Sequence, residues 1–169
     1  MNPPETGYIR TFTGRKFWPL QPRAEDLDIK DIAHALSNIC RFTGHVRTFY
    51  SVAEHSVRVS ELLPPSLKLW GLLHDASEAY MCDMASPVKD QCPGYRAAEV
   101  KLEFVIAERF GLEWPRPAEI KAADVVMFLA ERRDLMSKPP AMAVDYPTIR
   151  PWSPATAKAR FLRSFLALQ

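Results

Sequence analysis

The sequence predicts an all-α protein that forms one domain, and three observations support this. Apolar residues recur every three to four positions along most of the chain, which is the period of an amphipathic helix. The alternation of apolar and polar residues that marks a strand is nearly absent. The 15 prolines of the 169-residue chain lie between the apolar segments, as in helices joined by stiff connectors. A chain of this length holds about one hydrophobic core, and we predict about six helices.

The first 24 residues are predicted to form a short N-terminal arm or hairpin. Aromatic and aliphatic side chains flank the Thr13-Gly14-Arg15 turn within residues 8–20. So many apolar groups favour a hairpin or an extended segment over a loose tail. The main helical domain is predicted over residues 25–137, and a C-terminal packing helix over residues 153–169.

Helical periodicity and capping residues place the elements of the main domain. After Asp28, the inward positions of one helical face are occupied by Ile29, Ile32, Leu36, Ile39 and Cys40. Ser51 and Glu54 have the spacing of a capping box, which predicts a second helix that ends near Leu63. Further helices are predicted over residues 66–80, 96–110, 117–137 and 154–168, with a loop over residues 83–94 that contains two prolines.

Polar residues occur where the predicted helices should be buried. The helix over residues 66–80 is apolar on nearly all sides, which is typical of a helix at the centre of a bundle. It nevertheless carries His74, Asp75 and Glu78. An imidazole and two carboxylates in an apolar core are unfavourable by several kcal/mol unless they are paired or bind a metal ion.

Two other helices place similar residues on their inward faces. His55 shares its face with Val52 and Val59, and Asp124 shares its face with Met127. Three helices thus direct imidazoles and carboxylates at a common core. Such a mixed set suits a divalent cation such as Co, Mn, Zn, Fe or Mg, with open positions for water and substrate. The alternative for the His-Asp pair at 74–75 taken alone is a core histidine hydrogen-bonded to an acid.

Composition and charge argue against several classes of protein, among them nucleic-acid-binding and membrane proteins. The 22 basic and 20 acidic residues give a net charge of +2, which does not fit a general nucleic-acid clamp. No stretch approaches the roughly 20 apolar residues of a membrane span, and residues 1–15 lack the apolar core of a signal peptide. Three cysteines without a CxxC pair fit a reducing compartment. We therefore expect a cytoplasmic protein that binds neither nucleic acid nor membrane.

The motifs resemble those of the HD-domain metal-dependent phosphohydrolases, in particular the bacterial and phage group related to 5′-deoxynucleotidases. The resemblance covers roughly residues 8–137. It rests on D-I-A-H-A-L-S over residues 31–37, C-R-F over 40–42, G-H over 44–45, Y-S-V-A-E-H-S over 50–56, L-L-H-D-A-S-E-A-Y over 72–80, Asp83 with P-V-K over 87–89, and K-A-A-D over 121–124.

The resemblance implies a role for each matching residue. One divalent metal ion is expected on His55, His74, Asp75 and Asp124. Glu78 and Asp83 are expected to be catalytic carboxylates. Arg41 and Phe42 are expected to contact the nucleotide, although the nucleotidases of this group have Trp where this chain has Phe42.

Other residues are candidates from position and charge alone. His45, Arg58 and Lys89 are candidate phosphate or base contacts, because they lie close to the motifs in sequence; a solvated helix arginine is the alternative for Arg58. Glu131 follows Asp124 by two helical turns on the same stripe. We expect Glu131 to pair with Arg41 or with the arginine at 132, rather than to bind the metal.

The predicted function is removal of the 5′-phosphate of a deoxynucleoside monophosphate by metal-activated water. One alternative is a deoxynucleoside triphosphohydrolase of the dATP type, which releases tripolyphosphate and uses additional Mg. Another is a non-catalytic nucleotide-binding module on a helical scaffold. The partner is in each case a small nucleotide. The last helix is predicted to cover the bundle or to form a homo-oligomer contact.

Overall fold

The computed structural model describes residues 6–139, 141 and 143–169. It is mostly helical, with one two-stranded hairpin at the N-terminus, which confirms the all-α prediction. Residues 1–5 of the predicted arm lie outside the described residues. No described helix is both long enough and apolar enough to cross a membrane.

The arm is a hairpin that packs on the helical domain. Its strands are β1 (Ile9–Arg10) and β2 (Lys16–Phe17), which pair antiparallel. The backbone N–H and the hydroxyl of Thr13 donate to the Asp31 carboxylate at 2.6 and 2.9 Å. The fully buried Phe17 ring stacks on Tyr80 at a centroid distance of 4.0 Å. The hairpin is therefore held by both polar and apolar contacts.

The helices follow the predicted order with several changes of boundary. They are α1 (Ile29–Asn38), α2 (Val52–Glu61), α3 (Lys68–Leu73), α4 (Glu78–Met81), α5 (Ser86–Lys89), α6 (Pro93–Phe110), α7 (Ala118–Leu135) and α8 (Pro154–Ala167). Asp28, Ser51 and Ser153 cap α1, α2 and α8 through side-chain oxygens that accept backbone N–H groups.

Two sequence predictions about boundaries need correction. The helix predicted over residues 66–80 is split by a tight turn over residues 74–77 into α3 and α4, with a 3₁₀ turn at Pro65–Leu67 before it. The loop predicted over residues 83–94 contains α5 and the start of α6. Both of these helices have proline in the first turn, where its fixed φ and missing N–H are tolerated.

The helix at the centre of the domain is α2, and not the segment over residues 66–80. Helix α2 packs against α1, α3, α7 and α8. Gly71 of α3 allows one of these contacts to be close: a Cβ at this position would lie 2.4 Å from Leu63 Cδ1 and 3.0 Å from Ser60 Cα. The absence of a side chain at Gly71 therefore sets the spacing between α2, which carries His55, and α3, which ends directly before His74.

Candidate metal centre

Three helical regions bring a His-His-Asp group together, as the sequence predicts. His55 projects from α2, His74 follows α3, and Asp124 lies on α7. The Nε2 atoms of the two histidines are 3.2 Å apart, and Asp124 Oδ1 is 3.3 Å from His55 Nε2. The candidate ligand atoms of all three residues lie within 4.8 Å of one another. Both histidines are buried.

Asp75, the fourth predicted ligand, lies beside this group. Its Oδ2 is 3.2 Å from His74 Nε2 and 3.5 Å from His55 Nε2. The same oxygen is 3.5 Å from Nη1 of Arg41. Asp75 is thus placed between the candidate metal ligands and a cation of the predicted substrate site.

The group fits a divalent ion by spacing and by ligand chemistry. Ligands about 2.0–2.2 Å from a tetrahedral ion lie about 3.3–3.6 Å from one another, close to the distances seen here. Two imidazole Nε2 atoms that face each other at 3.2 Å require a proton or a metal ion between their lone pairs. The buried His-His-Asp group can therefore hold a metal ion.

Both histidines have their other ring nitrogen occupied. Nδ1 of His74 is 2.7 Å from the carbonyl oxygen of Gly71. Nδ1 of His55 is 2.6 Å from Oε1 of Glu131. Carbonyl and ionised carboxylate oxygens only accept, so each Nδ1 carries the hydrogen and each Nε2 is left to face the other ligands.

The surrounding charges favour a cation at the centre. Burial and the nearby Arg41 disfavour a charged His55, but Glu131 and Asp124 outweigh them and raise its pKa to about 9. Burial acts to raise the pKa of Asp124, yet the two histidines hold that pKa well below its usual range. The pKa of Asp75 is also lowered, because His74, His55 and Arg41 oppose the effect of its burial.

A cavity of about 810 Å³ opens beside the group. His74, Asp75 and Asp124 lie in its wall. The cavity also brings together the predicted catalytic and substrate residues Arg41, Phe42, His45, Glu78, Asp83 and Lys89. Phe42 stacks on Phe128 at a centroid distance of 5.8 Å, which gives the cavity an aromatic wall.

Glu78 is buried in this wall with one oxygen unpaired. The residue is 7% exposed, and its Oε2 has no hydrogen-bond partner among the described residues. Burial raises the pKa of Glu78 well above its usual value, and the Asp75 and Asp83 carboxylates add to this effect. Burial also raises the pKa of Asp83. Both carboxyl groups therefore hold a proton more readily than an ordinary acid.

No family model matches the chain, but two relatives are similar to it over most of its length. The uncharacterized protein YfdR of Escherichia coli (strain K12) is 44% identical over 128 residues, which are 76% of this chain and 72% of YfdR. The chain belongs to the YfdR family. An uncharacterized protein of Rhodobacter capsulatus is 40% identical over 124 residues, or 68% of this chain and 63% of that protein. Both relatives are uncharacterized, so the comparison assigns no activity to this chain.

Arg58, a predicted substrate contact, is not among the residues that line the cavity. Its Nε and Nη2 donate to Oε1 of Glu54 at 3.0 and 2.8 Å. Its guanidinium lies over the Trp152 ring at 4.7 Å. The helical face on which Arg58 lies turns toward the segment before α8, so the structure gives no support to a substrate role for this residue.

Several residues of the cavity were not predicted from the sequence. They include Thr43, Glu99, Glu103 and Arg116, and Lys121 of the K-A-A-D motif, to which no role was assigned, also lines the cavity. Arg116 donates to the carbonyl of His74 at 3.1 Å. Phe42 and Thr43 have φ values of 57° and 53°, a left-handed conformation that is unfavourable for residues with a Cβ. Gly44, with φ of 81°, was the one local sign of such a turn.

Proposed function

We propose that the chain is a metal-dependent nucleotide phosphohydrolase of the HD-domain type. The observation that carries the proposal is the placement of Glu78. A buried carboxyl group, one oxygen of which has no hydrogen-bond partner in the described part of the chain, lines the same cavity as a His-His-Asp group that can hold a metal ion. Buried polar groups without partners are rare and are concentrated at functional sites.

The residues of the cavity can bind both ends of a nucleotide. Arg41 and Lys89 are cations that suit a phosphate. The stacked rings of Phe42 and Phe128 offer an apolar surface for a base. A divalent cation held by the His-His-Asp group would supply Lewis acidity toward water and a phosphoryl oxygen.

Glu78 is the residue that we assign to proton transfer. Glu78 begins α4, directly after the turn that contains His74 and Asp75, and it lines the same cavity as these two residues. From this position its carboxyl group can hold the attacking water or give a proton to the leaving 5′-oxygen. Asp83, which lines the same cavity, can take part in the same proton transfer. The remaining contribution of the protein is positioning and charge stabilisation, which dominate phosphoryl transfer.

The charges of the cavity favour a monophosphate over a triphosphate. Its described lining has six acidic side chains, those of Asp75, Glu78, Asp83, Glu99, Glu103 and Asp124, against four lysine and arginine cations, those of Arg41, Lys89, Arg116 and Lys121. Each cation already has a partner: Glu131 for Arg41, Glu99 for Lys89, the His74 carbonyl for Arg116 and Asp124 for Lys121. A triphosphate would add negative charge that this lining alone does not balance, so it would require additional Mg.

Product analysis tests the proposal directly. Protein reconstituted with Co, Mn or Zn is incubated with a panel of deoxynucleoside mono- and triphosphates, and the phosphate product is identified by chromatography. Orthophosphate from a monophosphate is the expected result. Tripolyphosphate would establish the triphosphohydrolase instead. Tight nucleotide binding without any product, at full metal loading, would show a binding module and contradict the proposal.

A further inference from the structure

Glu131 lies behind the candidate metal centre and joins two of its parts. The residue is on α7 and is 0% exposed. Its Oε1 is 2.6 Å from Nδ1 of His55, and its Oε2 is 3.1 Å from Nε of Arg41. One buried carboxylate therefore contacts both a candidate metal ligand and the arginine that lines the cavity.

Oε1 of Glu131 faces His55 and Oε2 faces Arg41, and this division has a chemical consequence. A guanidinium N–H of Arg41 and a ring nitrogen of His55 face the two oxygens of Glu131, and a carboxylate offers both of its oxygens as acceptors. When Oε1 of Glu131 accepts the Nδ1 hydrogen of His55, the Nε2 lone pair of His55 is directed at His74 and Asp124. Accepting from Nε of Arg41 fixes the plane of the guanidinium, whose Nη1 lies 3.5 Å from Asp75 Oδ2.

We propose that Glu131 is a positioning residue that selects the metal-binding tautomer of His55 and, with its other oxygen, fixes Arg41 at the wall of the cavity. This inference rests on the metal centre of the proposed function but does not depend on the substrate. A carboxylate that orients a ligating histidine also increases the basicity of that histidine.

The amide in Glu131→Gln separates this role from simple ion pairing. A glutamine side chain has one acceptor oxygen, so it cannot accept from both His55 and Arg41. If its oxygen turns to Arg41, its NH₂ group faces Nδ1 of His55 and favours the tautomer with a hydrogen on Nε2, which cannot bind a metal ion. We expect the affinity for Zn²⁺, measured by competition with a chromophoric chelator, to fall roughly 10- to 100-fold.

Glu54→Gln is the matched control. Glu54 is also 0% exposed and also accepts from an arginine, but its partners are Arg58 and the Trp152 backbone. It precedes His55 on the same helix without a hydrogen bond to either histidine among the described contacts. We expect Glu54→Gln to change the Zn²⁺ affinity by less than about twofold. A folded Glu131→Gln protein with the same Zn²⁺ affinity as the wild type would overturn the proposal.

Proton NMR of the Zn²⁺-loaded wild type tests the proposal even if the variant does not fold. Two buried imidazole Nδ1–H protons are expected to exchange slowly with water, one from His55 on Glu131 and one from His74 on the Gly71 carbonyl. In Glu131→Gln the His55 resonance should shift or disappear, while the His74 resonance serves as an internal reference. A wild-type spectrum in which only the His74 proton is protected would contradict the proposal. Since neither measurement uses a nucleotide, the result is independent of whether phosphohydrolase activity is found.

Discussion

One glutamate–arginine pair lies within α2 and a second contacts α2 at His55, and the two pairs differ in their other contacts. The first pair is Glu54 with Arg58: Oε1 of Glu54 accepts from two nitrogens of Arg58, and Oε2 accepts from the Trp152 backbone N–H at 2.7 Å. The second pair is Glu131 with Arg41. Oε2 of Glu131 accepts from Nε of Arg41, and its Oε1 contacts Nδ1 of His55.

The difference separates a pair that joins elements from a pair that orients groups. Burial raises the pKa of Glu54 despite Trp152 and Arg58, whereas Arg41 and His55 lower the pKa of Glu131 against its burial. The first pair ties α2 to the segment that leads into α8. The second pair is next to Asp75 and the cavity. Glu54 and Glu131 are equally buried and both pair with an arginine. Their roles differ because their remaining contacts differ.

The largest expected effect comes from removing a ligand next to the second pair. In His55→Ala, Glu131 keeps Arg41 but loses the His55 ring nitrogen, and the candidate metal group loses an imidazole. We expect loss of bound metal, loss of hydrolysis, and a decrease of about 2–4 kcal/mol in the free energy of unfolding. Metal content by elemental analysis, turnover and denaturant unfolding measure these effects. His34→Ala, at a histidine that stacks on Phe12 of the hairpin, is the control. Stoichiometric metal in His55→Ala would remove His55 from the ligand set.

Glu78→Gln should affect turnover without affecting the metal. The amide keeps the shape of the side chain but cannot exchange a proton, so kcat is expected to fall roughly 10²–10⁴-fold with KM little changed. Steady-state kinetics at full metal loading give both values. Loss of metal in this variant would instead make Glu78 a ligand. A kcat within a few-fold of the wild type would leave the proton transfer to Asp83.

Arg58→Met sharpens the comparison from the side of the first pair. It leaves the Glu54 carboxylate buried without its arginine, so we expect the free energy of unfolding to fall by about 2–4 kcal/mol. Because Arg58 does not line the cavity, the KM for the proposed nucleotide substrate should be the same in the folded variant as in the wild type. An increase in KM would instead support the substrate contact that the sequence predicts for Arg58.

The smallest effect is expected at a second anchor of the same C-terminal segment. Asp134 accepts from the Ile149 backbone N–H at 2.8 Å. Hydrogen bonding from Arg133 lowers the pKa of Asp134, opposed by its partial burial. A lowered folded-state pKa contributes stability that is present above the unfolded pKa of about 3.9 and is lost as pH falls through the folded value. The contribution is about 0.5 kcal/mol or less, since solvent screens the pair.

Urea unfolding at a series of pH values between about 3 and 6 tests this anchor. Asp134→Asn should have a weaker dependence of stability on pH than the wild type over the acidic part of this range. The same slope in both proteins would show that Asp134 titrates alike in the folded and unfolded chains.

Helical periodicity was enough to predict the His-His-Asp group. His55, His74 and Asp124 stand out because each is a polar residue at an inward position of an apolar stripe, which is a local property of the sequence. The pairing of Glu131 with Arg41 was also predicted, as one of two options. Its contact with His55 was not, because a stripe shows that a side chain points inward but not which neighbour it meets.

Other parts of the structure have no local signature. The turn that ends α3 at His74 contains neither proline nor glycine, so the periodic pattern runs through it without a break. Arg116 reaches the His74 carbonyl across 42 positions of sequence, and only the tertiary packing brings them together. Arg58 lies at the edge of a helical face. At such a position a small rotation of the helix determines whether the side chain faces the cavity or the C-terminal segment.

Under the proposed function, the Glu78 oxygen that has no partner among the described residues favours turnover at the expense of stability. A buried carboxyl group without a partner destabilises the folded chain, so an apolar residue of similar size at position 78 should raise the melting temperature. A library of variants selected for heat resistance alone would thus lose Glu78 early, whereas a library selected for hydrolysis would retain it. Sequencing the survivors of both selections would show which positions are maintained by function at the expense of folding.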